Sequence, residues 1–333
     1  MKTSKTIICA EVNLSPHSTQ QFSEHGVFMS VASPALRRDS SGFTTTDYAL
    51  YAVTVIAWGV SWIAMKSQVE TVAPEVSVFW RFVLAAALMM AWAKIRGHAL
   101  TFGMREHIRF AGLGALLFST NFTLFYYGAM QIPSGLLAVI FSTASIFNLF
   151  LGLVLFGQRP NLLALAAGIM GFAGIALMFL PKFAGAEFNT HAAIGLGMCI
   201  AGTLSFCFGN MLSADTQQRG IGVVPAAAWG MVYGAVLLGL FSALRGQSFA
   251  VEWSYAYFGG LVYLAIVASV IAFASYLTLL GRIGSARAGY ATVMFPVVAL
   301  TLSTIFEGYQ WTPIAALGLV CVLGGNIMML KAR

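Results

Sequence analysis

The chain has 333 residues, 59% of them hydrophobic and only 9% charged, with a net charge of +7 and a mean hydropathy of +0.83. A water-soluble domain carries about 25% charged residues, so this composition cannot cover a water-facing surface and excludes a soluble enzyme or binding module. The basic excess does not signal nucleic acid, because the Lys and Arg residues fall at the ends of apolar spans.

Residues 1–45 are polar and rich in Ser and Thr, and lack the apolar core of a signal peptide. They are expected to form a disordered cytoplasmic tail, with Met29 a second possible start. Ten apolar spans follow, near 48–65, 76–93, 110–130, 134–156, 161–180, 192–213, 222–243, 254–280, 286–306 and 312–330. Each is long enough for a hydrocarbon core about 30 Å thick. The connections are short, so sequence neighbours should run antiparallel, and no room remains for a soluble domain. Cys199, Cys207 and Cys321 lie inside spans and Cys9 in the tail, which reads as small buried hydrophobes rather than a disulfide framework.

The spans repeat. Ile132–Met178 superposes without a gap on Ile283–Met329, 151 positions later, with 8 identities in 47 positions that include Ser134/Ser285, Gly157/Gly308 and Gly174/Gly325. Upstream, Trp80/Trp229 and Arg96-Gly97/Arg245-Gly246 echo at an offset of 149. The expected organisation is the tail, a first repeat over 46–181 and a second over 190–333, five helices each.

Charge sets the orientation. With the N-terminus inside, inner segments hold 14 Lys and Arg residues and outer loops hold 3, namely Lys66, Lys182 and Arg245, while Arg81 lies within a span. Both termini are therefore expected in the cytoplasm. An odd number of helices per repeat then inverts the second unit relative to the first, an architecture that places a transport site near the midplane between the halves.

Several motifs carry a family resemblance: Trp58-Gly-Val-Ser-Trp62, Phe79-Trp-Arg-Phe82, Tyr127-Gly128, Ile132-Pro-Ser-Gly135 and Phe295-Pro-Val297. In that order they resemble the EamA unit of the drug/metabolite transporter (DMT) superfamily, most closely the YddG-type aromatic amino-acid exporters. The resemblance implies ten helices as two inverted repeats around a central cavity in a bacterial inner membrane. The first unit departs from the family pattern at Gln158, where a glutamate is common, and at Ser145, where Pro296 stands in the second copy.

The residues themselves exclude several chemistries. No histidine lies in a span, no His-Glu-x-x-His helix exists, and no carboxylate sits in mid-membrane. No metal, cofactor or catalytic set is expected, and no proton relay of the usual intramembrane kind. No Gly-x-x-x-x-Gly-Lys-Ser/Thr loop is present to use ATP. Arg81 is the only charge well inside a span. It can be the partner of a substrate carboxylate, or a clamp on helix-end carbonyls or on nearby Glu75.

Neutral polar and aromatic residues mark the candidate site: Asn121, Tyr126, Ser142, Ser145, Trp229, Tyr276 and Tyr290, with the backbone freed by Pro296. Ser205, Asn210 and Ser269 lie at similar depth. Polar residues there can equally be glue between helices, and the aromatic residues simple packing. The reading is an all-α, ten-helix inner-membrane transporter, monomeric, with both termini cytoplasmic. It would export aromatic and other neutral or hydrophobic amino acids by alternating access, through facilitated diffusion or exchange. Its partners would be small molecules and membrane lipid, not nucleic acid. The alternatives are a broad drug/metabolite efflux carrier with proton coupling and an intramembrane enzyme.

Overall fold

The computed structural model describes residues 44–70, 72–144, 146–147, 151, 162–183, 190–276, 278–279 and 291–331. Tail residues 1–43, Ser145, Gln158 and Tyr290 lie outside the described residues. The described residues form helices joined by short turns and loops, with no strand among them.

Each helix starts and stops for local reasons. Helix α1, Thr45–Lys66, begins at a capping box in which the Thr44 hydroxyl accepts from the Asp47 amide and Asp47 accepts from the Thr44 amide. Helix α2, Pro74–Ile95, begins at a proline, whose missing N–H is no loss in the first turn. It ends at Arg96-Gly97, with Gly97 at φ 71° and the His98 amide folded back to the Ala93 carbonyl. Helix α3, Met104–Leu113, runs through a π-helical segment, Gly114–Thr120, into α4, Asn121–Ala129. Helix α5, Ser134–Ser142, follows, then α6, Leu162–Phe183.

The second half repeats this order. Helix α7 is Thr190–Gln218 and α8 is Val223–Leu244, which lies 149 positions after α2 at both ends. It stops in the same way, with Gly246 at φ 66° and the Gln247 amide on the Ser242 carbonyl. Helix α9, Tyr255–Val262, continues into a second π segment, Tyr263–Ile271, whose start also lies 149 positions after that of the first. Helix α10 is Ala291–Phe306 and α11 is Pro313–Lys331.

Seven of these helical stretches are long and apolar enough to cross a membrane, and Met294–Phe306 and Pro313–Met328 are shorter apolar helices. Seven of the ten spans expected from sequence thus coincide with stretches long enough to cross, the last two with shorter apolar helices, and α5 covers only the start of 134–156, most of the rest of which lies outside the described residues. The apolar residues left outside, such as Leu165, Ile169, Val236, Leu240, Leu317 and Val320, are exposed rather than buried. Such faces suit a lipid solvent.

Equivalent helices of the two halves pack on each other: α2 against α8, and α6 against α11. In the second pair the contact is reciprocal. A Cβ on Gly174 would meet the Gly318 carbonyl at 2.6 Å and the Val322 amide at 2.7 Å, and one on Gly325 would meet the Ala167 carbonyl at 2.7 Å and the Gly171 amide at 2.9 Å. Gly318 and Val322 are the 151-offset equivalents of Ala167 and Gly171. Only glycine permits this approach of two backbones. The crossing also makes α6 and α11 antiparallel, since residue numbers rise in one as they fall in the other.

Candidate functional site

Helices from both halves converge on a group of aromatic rings. Trp62 of α1 lies 5.3 Å from Phe125 of α4, 5.6 Å from Phe141 of α5 and 6.1 Å from Phe295 of α10. Phe206 of α7 closes the ring set at 4.6 Å from Phe141. The sequence places them there by helical spacing: Trp58 and Trp62 are one turn apart on α1, and Phe122 and Phe125 share a face of α4. The local break is Pro296, beside which α1 comes in close, a Cβ on Gly59 meeting Val298 at 2.6 Å.

Three buried polar atoms around these rings have no hydrogen-bond partner: Trp62 Nε1, Asn121 Oδ1 and the Tyr126 hydroxyl. Asn121 is 3% exposed and Tyr126 0%. Leaving such a group unsatisfied costs about 1–3 kcal/mol. The Asn121 amide nitrogen makes a long bond to the Leu117 carbonyl, 3.4 Å, and leaves its oxygen free to accept.

Arg81 stands beside this group, seven residues into α2, or about 10 Å of helix. It is 5% exposed. Its Nε and Nη2 both donate to the Ser269 hydroxyl at 3.2 Å, and its Cζ lies 4.4 Å from the Phe122 centroid and 5.4 Å from that of Phe82. The Tyr126 hydroxyl is close enough to the guanidinium to interact with it, but not in the geometry of a well-formed hydrogen bond. The expected clamp of Arg81 on Glu75 is not formed. Glu75, fully buried, is held instead by Arg245 at 2.9 Å and the Tyr127 hydroxyl at 2.7 Å. Among the described residues no carboxylate pairs with Arg81.

The two π segments hold the site in register. Their wide turns leave carbonyls for side chains from the other half. Ser205 of α7 donates to the Leu116 carbonyl in the first, at 2.8 Å, and Trp58 of α1 donates to the Ala268 carbonyl in the second, at 3.1 Å. Ser269, in the second segment, donates to the Leu264 carbonyl at 2.9 Å while it accepts from Arg81.

Polar ties close both ends of the bundle. At one end, beside the Glu75 cluster, Lys66 donates to the Ala129 and Ile132 carbonyls. There the Glu307 carboxylate caps α5, accepting from the Ser134 amide at 2.9 Å and from the Ser134 and Ser303 hydroxyls at 2.6 Å. The Tyr127 hydroxyl, then Glu75, hold the Arg245 guanidinium charged more firmly than usual. At the other end Asp215 accepts from Arg109 and, at 3.2 Å, from Arg219.

The residues singled out from sequence do not all meet. Asn121, Tyr126 and Pro296 lie with the central rings. Tyr276 packs against Trp58 with ring centroids 5.2 Å apart and the planes tilted by 44°. Ser142 is a tie between α5 and α11, accepting from Asn326 at 3.1 Å and donating to Val139. Trp229 stands apart from the Trp62 group, donating to the Leu100 carbonyl at 3.0 Å and packing on His107 at 4.7 Å. Ser145 and Tyr290 lie outside the described residues. Sequence reasoning missed Trp62, Phe122, Phe125 and Phe141 as wall residues, although the one-turn spacing of Trp58 and Trp62 pointed to a shared face. Among the described residues no group of His, Cys, Asp and Glu could hold a metal ion.

Comparison with known proteins brings names to this arrangement. The profile of the EamA-like transporter family matches residues 47–180 and again 193–331. The "Uncharacterized inner membrane transporter YedA" of Escherichia coli K12 is 29% identical over 282 residues, covering 84% of this chain and 89% of that protein. The "Uncharacterized transporter YvbV" of Bacillus subtilis is 26% identical, over 79% and 84%. A protein of E. coli K12 named "Probable amino-acid metabolite efflux pump" is 23% identical, over 86% and 96%. A solved crystal structure shares the fold with a TM-score of 0.62 at 16% identity, covering 86% of this chain and 96% of that one.

Proposed function

The chain belongs to the EamA-like transporter family, and we propose that within it this multi-pass membrane transporter exports neutral and hydrophobic amino acids, aromatic ones above all. The observation that carries the proposal is the trio of unpartnered buried atoms, Trp62 Nε1, Asn121 Oδ1 and the Tyr126 hydroxyl, set among aromatic rings from five helices. An amino acid supplies what they lack. Its ammonium donates to Asn121 Oδ1, its carboxylate accepts from indole or phenol, and its side chain meets rings, each ring contact contributing about 0.5–1.5 kcal/mol beyond area burial.

In this reading the family fold is ten helices in two inverted five-helix repeats, in the inner membrane with both termini cytoplasmic, and the transporter works as a monomer. The reciprocal glycine contacts of α6 and α11 support the inversion, and the 14-to-3 distribution of Lys and Arg supports the orientation. The Glu75–Arg245–Tyr127 end then faces outside. Transport alternates between opening that end and opening the end held by Asp215. Movement is facilitated diffusion or exchange. The name of the efflux-pump relative agrees with the direction and the substrate class.

Counterflow in proteoliposomes preloaded with each of a panel of amino acids tests this. Uptake of labelled phenylalanine should be driven by internal phenylalanine, tryptophan or methionine and not by internal glutamate or lysine. Equal drive by every compound, or by none, would overturn it.

A further inference from the structure

We infer that Arg81, Ser269 and Tyr126 form an anion subsite that takes the substrate carboxylate in the loaded carrier and a small inorganic anion, of the chloride class, in the empty one. The inference rests on the proposed transport site for the first occupant and on the buried charge alone for the second.

An arginine keeps its charge at every physiological pH, and a charge removed from water is tolerated only when it is paired or solvated. Arg81 is 95% removed from solvent by its 5% exposure, yet it has no carboxylate among the described residues. A guanidinium has five N–H donors. Both of the hydrogen bonds that Arg81 makes go to one neutral oxygen, Ser269 Oγ, at 3.2 Å, which is long for such a contact. Its other close neighbours are rings, with Cζ over Phe122 at 4.4 Å and over Phe82 at 5.4 Å from their centroids, and neither supplies a negative partner. Beside the guanidinium lies the Tyr126 hydroxyl, fully buried, which interacts with Arg81 but makes no well-aligned hydrogen bond to it or to any other described group. An anion seated between the guanidinium and the phenol would satisfy both.

The charge is not a requirement of the fold. The position equivalent to Arg81 in the second repeat, 149 residues on, is Gly230, where an added Cβ would meet Phe118 at 2.8 Å. One half of a duplicated structure packs the position with a ring, and the other keeps a cation there. Such an asymmetry at the interface of two matching halves is where a duplicated carrier gains a polar end for its ligand. It also sets a rule for the cycle. With no carboxylate among the described residues paired to Arg81, the carrier that returns without substrate does so with an inorganic anion aboard.

Purified full-length protein in detergent tests the subsite. The thermal midpoint is followed as chloride replaces gluconate at constant ionic strength. Chloride should raise the midpoint of the parent saturably, phenylalanine should compete with it, and phenethylamine, which lacks the carboxylate, should not. Arg81→Gln should weaken the apparent chloride affinity about tenfold or more. Tyr126→Phe removes one hydroxyl without changing the packing and should weaken it by a smaller factor. Arg96→Gln, at an exposed helix end, should leave it unchanged. If Arg81→Gln does not fold, the Tyr126→Phe series and the phenylalanine competition decide alone. In proteoliposomes, net efflux into substrate-free medium should slow when chloride is withdrawn while homoexchange continues. Saturable chloride stabilisation with no amino-acid counterflow would uphold the anion site and sink the transport reading. Counterflow of phenylalanine by a parent protein indifferent to chloride would do the opposite.

Discussion

Trp80 and Trp229 make the same hydrogen bond in opposite halves of the molecule. Trp80 donates its indole N–H to the Phe249 carbonyl at 3.3 Å, and Trp229 donates to the Leu100 carbonyl at 3.0 Å. The donors are 149 positions apart, and so are the acceptors. Each donor lies near the start of its helix and each acceptor just beyond the end of the other, so α2 and α8 run antiparallel. A contact in which each half offers the same donor and the same acceptor is the signature of a two-fold relation.

That relation predicts topology. Ala99 and Ser248 are exposed equivalents that follow the matching Gly97 and Gly246 turns. Single cysteines at the two positions, in a background without the native cysteines, should be alkylated by a membrane-impermeant reagent from opposite sides. Position 99 should react from the cytoplasm and 248 from outside. Labelling of both from one side would remove the inversion from the account.

The crossing of α6 and α11 predicts a stability difference between glycines. Gly174→Val places a branched side chain against the Gly318 and Val322 backbone, where no flexible atom can give way. The two helices must separate, at a cost of about 1–3 kcal/mol. Gly197→Ala, with nothing within 4 Å of its Cβ, should be neutral or slightly stabilising. Thermal midpoints in detergent would show it, and equal losses in both variants would contradict the packing argument.

Much of this was legible in the sequence, for physical reasons. Nearly every helix was marked by its apolar length, and the stops at Gly97 and Gly246 by glycines that a left-handed turn requires. The repeat was visible in part because Gly174 and Gly325, each pressed on the backbone of the facing helix, stand at equivalent positions. The π segments were not legible, since a π turn uses the same apolar residues as an α turn and shows itself only in where Leu116 and Ala268 send their carbonyls. Of the two roles that the sequence leaves open for Arg81, a partner for a substrate carboxylate or a clamp on helix-end carbonyls or Glu75, the Glu75 clamp is not formed. The structure gives Glu75 to Arg245, 170 residues away, and leaves Arg81 to Ser269. The sequence places Trp229 among the candidate site aromatics, and only the fold shows that its indole reaches Leu100.

The Glu75 cluster predicts how one end is kept shut. Glu75 is fully buried and depends on Arg245 and Tyr127. Arg245→Ala strands the carboxylate with one partner, and that end should open more often. A cysteine at Val69, which is 7% exposed in the closed end, should then be alkylated several-fold faster than in the parent. An unchanged rate would mean that Lys66 and Glu307 suffice to close that end.

The energetics should follow from what the centre lacks. The group around Trp62, Asn121, Tyr126 and Arg81 contains no carboxylate or histidine among the described residues, so nothing there titrates near neutral pH. A proton gradient imposed on liposomes with equal phenylalanine on both sides should move no net substrate. Accumulation against a gradient would require a titrating group that the account does not contain.

The most direct test is counterflow of labelled phenylalanine by three proteins inserted at equal levels: the parent, Asn121→Ala and Trp311→Ala. Asn121 carries an unpartnered oxygen at the centre, whereas Trp311 is exposed and bonded to Thr304. The account predicts that Asn121→Ala transports about tenfold more slowly and that Trp311→Ala transports like the parent. Full activity in Asn121→Ala alongside a loss in Trp311→Ala would place the substrate somewhere other than among these rings.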